Sequence, residues 1–495
     1  MVVYLVLVAA LGAGVPGSSQ DAPEKPPDTF PDGKEKAPDL TFRPPRYKAL
    51  RYNEDWSVLA DKKDQTPGDS FDPIKYLPLT EKGDTYLSFG GQIRSRVEDW
   101  NEFGFNGAND DTFWLNRFLL SADLHMTRYF RAFVEGKSAF STPRELPGGR
   151  RTLDVDELAL QQAFGDLNLG FSEDNGKPRL TLRPGRQEFL FGAQRLVSPL
   201  AWSNTLRTWD GASGIVRTER WELTGFWSQF VNVDKYSFNN SDSDLQLYGV
   251  YSTGSIRSVP FEIDLYWLGL SRSSSRVFNS FGGREDRQTL GSRLYGDIAR
   301  TRLDFEVEGA YQTGTLGSKT ISAGMVTTVL GYKIPLGTDL VGQPRTDVGV
   351  SYASGGKGIG SRNTFNQLFP LGHKYLGYID VVGRQNIVDT HVAITCNPLA
   401  RVDTFKKSST TLSYHYFWRA SRRDALYNAG GGVLRPPTNG SQNVGSELDL
   451  TYKHPIDRHL ALLVGYSHFF PATFIKKTGP DRPIDFTYLQ LQFTF

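Results

Sequence analysis

Residues 484–495 read IDFTYLQLQFTF. Leu489, Leu491, Phe493 and Phe495 recur at every second position, with Gln490, Gln492 and Thr494 between them. That alternation describes a strand with one apolar and one polar face. No tail follows Phe495 to cover it. In a soluble sandwich this strand would be an edge open to pairing with other chains. In a closed transmembrane barrel it pairs with the first strand and no edge remains.

The same texture extends upstream to residue 86. Across 86–100, Leu87, Phe89, Ile93 and Val97 share one face, and Ser88, Gln92, Arg94, Arg96 and Glu98 the other. Across 117–126, Leu120, Ala122, Leu124 and Met126 oppose Arg117, Ser121, Asp123 and His125. Across 129–137, Phe130, Ala132 and Val134 oppose Arg131, Glu135 and Lys137. Further segments at 157–167, 179–188, 213–218, 221–231, 245–251, 261–270, 287–298, 302–311, 320–334, 346–353, 390–397, 409–418, 445–452 and 460–469 complete the set. The expectation is an all-β fold, one antiparallel transmembrane barrel of about 18 strands. A soluble β-sandwich or propeller would need a second layer against the apolar face, and no helix-period stretch supplies one. Short polar turns (174–177, 217–220, 454–458) suit the periplasmic side, and longer Gly/Ser/Asn-rich connections (101–111, 273–286, 420–442) the outside.

The composition agrees. Aromatic residues make up 13% of the 495 and glycine accounts for 50 of them. The mean hydropathy is −0.39, as expected when half of each strand faces water. A single cysteine, Cys396, excludes an intramolecular disulfide and a cysteine-based zinc site. Near-balanced charge, 56 basic against 54 acidic residues, argues against nucleic-acid binding. The opening MVVYLVLVAALGAGVPGSSQ is an apolar run followed by small residues, so 1–20 read as a signal peptide lacking a basic start. Residues 21–46 are Pro- and charge-rich and read as a disordered linker. Residues 47–82 read as a small periplasmic segment, and 83–495 as the barrel.

Enzyme signatures are missing: no G-x-S-x-G, no H-E-x-x-H and no complete phosphate loop. His125 and His415 fall on strands as ordinary lumen-facing imidazoles. No metal site, cofactor or catalytic residue is expected. Residues 179–211, RLTLRPGRQEFLFGAQRLVSPLAWSNTLRTWDG, carry more information. Pro184 removes a ladder donor and Gly185 invites a bulge, so regular pairing should falter there. Arg183, Arg186, Arg195 and Arg207 follow one another into a segment expected to fold in or over the lumen. Fixed guanidinium groups in a confined channel attract carboxylates bidentately, and ion pairing with Glu188, Asp210 and other acids is the structural alternative.

LRPGRQEFLFGAQRLVSPLAWSNTLRTWDG, YLSFGGQIRSRVEDW, LGHKYLGYIDVVGRQNI and SYHYFWRASRRDALYNAGG followed by GSELDLTYKH resemble the signature segments of the alginate-export family of outer-membrane proteins. The resemblance implies an 18-stranded monomeric barrel whose electropositive pore passes an anionic uronic-acid polymer. It places Arg186 in the pore and Arg94 and Arg96 in the lumen; where the family's fourth strand has an arginine, this chain has Gln161. A terminal Phe495 likewise resembles the signal read by the barrel-assembly machinery. The reading is a passive channel in the bacterial outer membrane for anionic polysaccharide or oligosaccharide, lined by Arg94, Arg96, Arg117, Arg131, Lys137, Arg183, Arg186, Arg195 and Glu188. An outer-membrane enzyme acting on lipid or polysaccharide, a general porin, and a non-conducting binding barrel are the alternatives.

Overall fold

Leu489 and Leu491, apolar by sequence, are 47% and 40% exposed, whereas Tyr488 on the opposite face is 1% exposed. The terminal strand therefore shows its leucines outward and its other face to an interior. A computed structural model gives the arrangement and describes residues 47–64, 69–172, 177–257, 259–273, 277–278, 281–336 and 341–495. The expected signal peptide and linker lie outside the described residues, as does most of the turn at 174–177.

Eighteen strands follow one another around the wall: β1 (Thr85–Asn101), β2 (Asp111–Met126), β3 (Phe130–Ser141), β4 (Asp156–Phe171), β5 (Pro178–Gln187), β6 (Trp209–Arg217), β7 (Trp221–Asn232), β8 (Asn240–Ser255), β9 (Glu262–Arg272), β10 (Glu285–Asp297), β11 (Leu303–Leu316), β12 (Lys319–Lys333), β13 (Arg345–Ala353), β14 (Ile387–Cys396), β15 (Ser409–Arg419), β16 (Asn443–Pro455), β17 (Leu460–Pro471) and β18 (Ile484–Thr494). Each pairs antiparallel with its chain neighbours, and β1 pairs with β18 from Gln92↔Thr494 to Asn101↔Asp485. That last ladder closes the barrel and removes the edge. Eighteen sequence segments correspond to eighteen strands.

Outward positions are apolar around the wall: Leu120 is 61% exposed, Val134 45%, Trp227 48% and Val348 52%. A continuous apolar belt of this kind needs lipid rather than water around it. Inward positions carry buried charge, among them Arg94, Arg96, Arg117, Asp123, Glu135 and Lys137. One mouth has short turns, such as 127–129, 218–220 and 456–459, and is the periplasmic one by the usual asymmetry. The other carries the long connections 188–208, 354–386 and 420–442.

Two of those connections fold into the barrel and meet. Phe369 N donates to Leu196 O at 2.8 Å and Leu371 N to Gln194 O at 2.9 Å, with a parallel bridge pairing Val197 and Phe369. Phe189, Trp209, Phe230 and Phe369 pack ring against ring around this junction. Leu200, Leu206 and Leu368 hold positive φ of 57°, 55° and 57°. Left-handed backbone at a leucine costs about 1–3 kcal/mol and persists only where surrounding contacts fix it.

Residues 47–64 and 69–76 occupy the periplasmic mouth. Tyr52 packs edge-on against Phe133 and Phe164 from the inner wall, under the Arg183 guanidinium. Its carbonyl accepts from Arg131 Nη2 at 2.6 Å, and its hydroxyl reaches Glu188 O at 3.4 Å. Arg51 Nη2 donates to the terminal Phe495 O at 2.6 Å, and Phe71 stacks on the Phe495 ring. Lys75 donates to Phe89 O, and Asp69 accepts from Arg458 and meets His459.

Candidate functional site: the lumen constriction

Lumen strands β1 and β2 place Arg94 and Arg117 directly opposite each other. Both point at the inner loop 188–208. Arg94 Nη1 donates to the carbonyls of Ala201 and Trp202, at 2.8 and 3.2 Å, and its Nη2 donates to Ser203 O and Asn204 Oδ1. Arg117 adds bonds to Ala201 O and Ser203 O, and to Gln92. Arg96 donates to Trp202 O, pairs with Glu98 at 2.7 Å and lies 3.8 Å over the Trp202 ring. Lys137 bonds Thr205 O, Gln161 and Asp156. These four cations lie on the inward face of the wall, and most of the bonds they make hold residues 201–205 in place.

The remaining expected groups are also paired. Arg131 forms a bidentate pair with Asp123, and Arg183 with Asp166. Arg195 reaches across from the inner loop to Glu306 and Glu308 on β11, with its guanidinium 4.5 Å over Tyr375. Glu188 accepts from Gln161 Nε2 at 2.7 Å. Gln161 thus relays between Lys137 and Glu188 where an arginine would bring a third charge.

Arg186 is a correction. The register runs without a break through Gly185, pairing Phe164 with Gly185 and Ala163 with Arg186. No bulge resets the alternation, so Arg186 cannot share a face with Arg183 three residues away. It lies in the outward row of Val134, Ala163, Asp210 and Gln229. Gly185 makes the unbroken path feasible: its φ is +129°, and a Cβ there would sit 2.3 Å from Ala163 O. At the penultimate position of β5, Arg186 is near the outer rim, where a lipid-side charge costs about 0–1 kcal/mol, and Asp210 neutralises it bidentately at 2.7 and 2.8 Å. Arg186→Ala should therefore leave the reversal potential under a salt gradient unchanged and lower stability by about 1 kcal/mol or less. A loss of anion preference would return it to the pore.

Among the described residues, Arg207, Arg384, Lys374 and Lys453 form no ion pair with a carboxylate; nor do Arg94, Arg117 and Arg419, whose guanidinium groups are held by carbonyls. Arg207 donates to Pro370 O at 2.9 Å. Arg384, 2% exposed, donates to Thr327 Oγ1. Lys374 is exposed on loop 354–386 beside the Tyr375 ring, and its charge acts against that of Lys453 on β16. Lys374 and Arg384 fall in LGHKYLGYIDVVGRQNI and Arg207 in the segment after β5, so their neighbourhoods were marked by sequence. Their lack of ion pairs depends on where the loops fold and leaves no local signal. Lys453 was missed, although its place in the inward row with Glu447, Asp449 and Thr451 was readable from the period.

Comparison with known proteins supplies the frame. A family model described as alginate export matches residues 85–485. A search of curated protein sequences finds no match. Among solved structures, the chain is similar to Pseudomonas aeruginosa OccK11 (OpdR), at 14% identity and TM-score 0.53, covering 82% of this chain and 96% of that one. It is similar to P. aeruginosa OpdQ at 12% identity and TM-score 0.54, over 83% and 98% of the two chains. It is similar to P. aeruginosa OpdK, solved with vanillate, at 10% identity and TM-score 0.53, over 82% and 98%. At these identities the likeness is one of fold.

Proposed function

The chain belongs to the alginate export family and is an outer-membrane β-barrel channel; from that premise we propose that it passes anionic polysaccharide or oligosaccharide of the uronate type by passive diffusion. The observation that carries the reading is the contrast between two sets of inner cations. Those on β1–β5 are consumed by the inner loop or by Asp123, Asp156 and Asp166. Lys374 and Lys453 have neither an ion pair nor a hydrogen-bond acceptor among the described residues, while Arg207 and Arg384 each donate to one neutral oxygen, of Pro370 and Thr327. A carboxylate entering between loop 354–386 and β16 gains from charges that no protein acid has already matched. Their number is small, so attraction stays weak enough for release. The channel is a monomer in this reading, needs no cofactor, and meets the assembly machinery through the strand ending at Phe495.

Planar-bilayer recording tests this. The wild type is expected to prefer anions, and oligouronates added to one side to block its current. In Lys374→Ala/Lys453→Ala the anion preference should fall severalfold and the block weaken. A selectivity that survives this double substitution would overturn the assignment of these residues.

A further inference from the structure

On the inner wall, β13, β14 and β15 bring two carboxylates and two imidazoles together. Asp389, 0% exposed, and His391 are inward neighbours on β14. His415 on β15 is the direct cross-strand partner of His391, with ring centroids 5.1 Å apart. Asp347 approaches from β13. Asp389 Oδ1 lies 3.0 Å from His415 Nδ1, and Asp389 Oδ2 lies 3.6 Å from His391 Nδ1. His391 Nε2 lies 3.4 Å from Asp347 Oδ1, while Asp347 Oδ2 takes Arg345. Gly349 opposite His391 leaves the ring its space: a Cβ there would fall 2.2 Å from His391 Cε1.

Two atoms in this group are buried without a hydrogen-bond partner, Asp389 Oδ2 and His391 Nδ1, and they face each other. The Asp347 carboxylate favours the proton on His391 Nε2, which turns a lone pair on Nδ1 toward a carboxylate oxygen. Two lone pairs opposed in a buried site are costly unless something positive stands between them. One ligand atom from each of Asp389, His391 and His415 lies within 4.8 Å of the others. Zinc bonds of about 2.0–2.1 Å in a tetrahedron require ligand atoms about 3.4 Å apart. The Asp389 carboxylate lies at comparable distances from both rings, 3.0 Å to His415 through Oδ1 and 3.6 Å to His391 through Oδ2.

We propose that Asp389, His391 and His415 form a binding site for a divalent transition-metal cation on the lumen wall, with Zn²⁺ the best fit. Two imidazoles and one carboxylate are a zinc-type ligand set that leaves a fourth position for water. Asp347 is the outer partner that holds the His391 tautomer through Nε2–H. The alternative occupant is a proton: an imidazolium at His391 would bridge Asp347 and Asp389 with no metal.

Titration of the metal-stripped, detergent-folded full chain with Zn²⁺ by calorimetry, and with Co²⁺ by visible absorption, separates the two. One cation per chain is expected, with proton release on binding and the d–d spectrum of four-coordinate Co²⁺. Asp389→Asn and His415→Gln should abolish binding, and Asp347→Asn should weaken it about tenfold. Unboiled gel mobility identifies variants that fail to fold, and His391→Gln serves as the replacement. Absence of binding in the wild type, or binding unchanged in His391→Gln and His415→Gln, would assign the site to a proton and overturn the proposal.

Discussion

Removing the clamp, in Arg94→Ala/Arg96→Ala/Arg117→Ala, is expected to increase single-channel conductance severalfold and to make the open current noisy. The three guanidinium groups donate seven hydrogen bonds to residues 201–204. A bond from a charged group contributes about 1.5–3 kcal/mol. Their sum exceeds the strain of Leu200 and Leu206, at about 1–3 kcal/mol each, so the clamp is what makes that backbone affordable. Without it, carbonyls 201–203 lose these donors, and this stretch of loop 188–208 is held mainly by Lys137 on Thr205 O and by the Asn204 amide on Asn116, Phe140 and Asp154. An open path lined by these arginines would respond in the opposite way, with conductance for anions falling and noise unchanged. The triple variant therefore distinguishes clamp from lining. Arg94→Ala alone, which removes four of the seven bonds, should lie between.

The wall was legible because a strand's period of two writes its two faces directly into the chain. Leu489 and Leu491 against Gln490 and Gln492 already state which side meets lipid, and the ladder between β1 and β18 closes the wall. Arg186 shows the limit of that reading. Its parity relative to Arg183 was visible, but a bulge was expected at Gly185 and the family resemblance placed Arg186 in the pore. The glycine instead lets Ala163 O approach without altering the register. Whether a lumen cation is spent or available was not legible at all. It depends on carbonyls of loop 188–208, more than 80 residues away in sequence from Arg94 and Arg117, and a carbonyl acceptor belongs to every residue type alike. For the same reason the pairing of Leu196 with Phe369 has no sequence signature.

Deletion of residues 47–80 is expected to raise conductance and to make it independent of pH. In the intact protein this segment sits in the periplasmic mouth and meets loop 188–208 at Glu188, so on the β3–β5 side the lumen is filled from both ends. Its hold combines ring packing of Tyr52 and Phe71 on the wall with polar contacts: Arg51 on Phe495 O, Arg131 on Tyr52 O, Arg458 and His459 on Asp69. Lys75 adds a pH term. Burial, with Arg51 close by, pulls its ammonium from 10.5 down to about 7. The undocked segment therefore holds this proton more tightly than the docked one. Docking gains strength as pH rises from about 7 towards 10.5, and below about 7 the Lys75 contribution is constant and at its least favourable. Conductance of the intact channel should accordingly be higher at pH 6 than at pH 9. Lys75→Met, which keeps the bulk and removes the charge, should flatten that dependence while leaving the mouth occupied. A deletion variant that still conducts less at pH 9 would place the titrating group in the barrel wall, and one with unchanged conductance would show that ions pass beside the segment on the β13–β16 side.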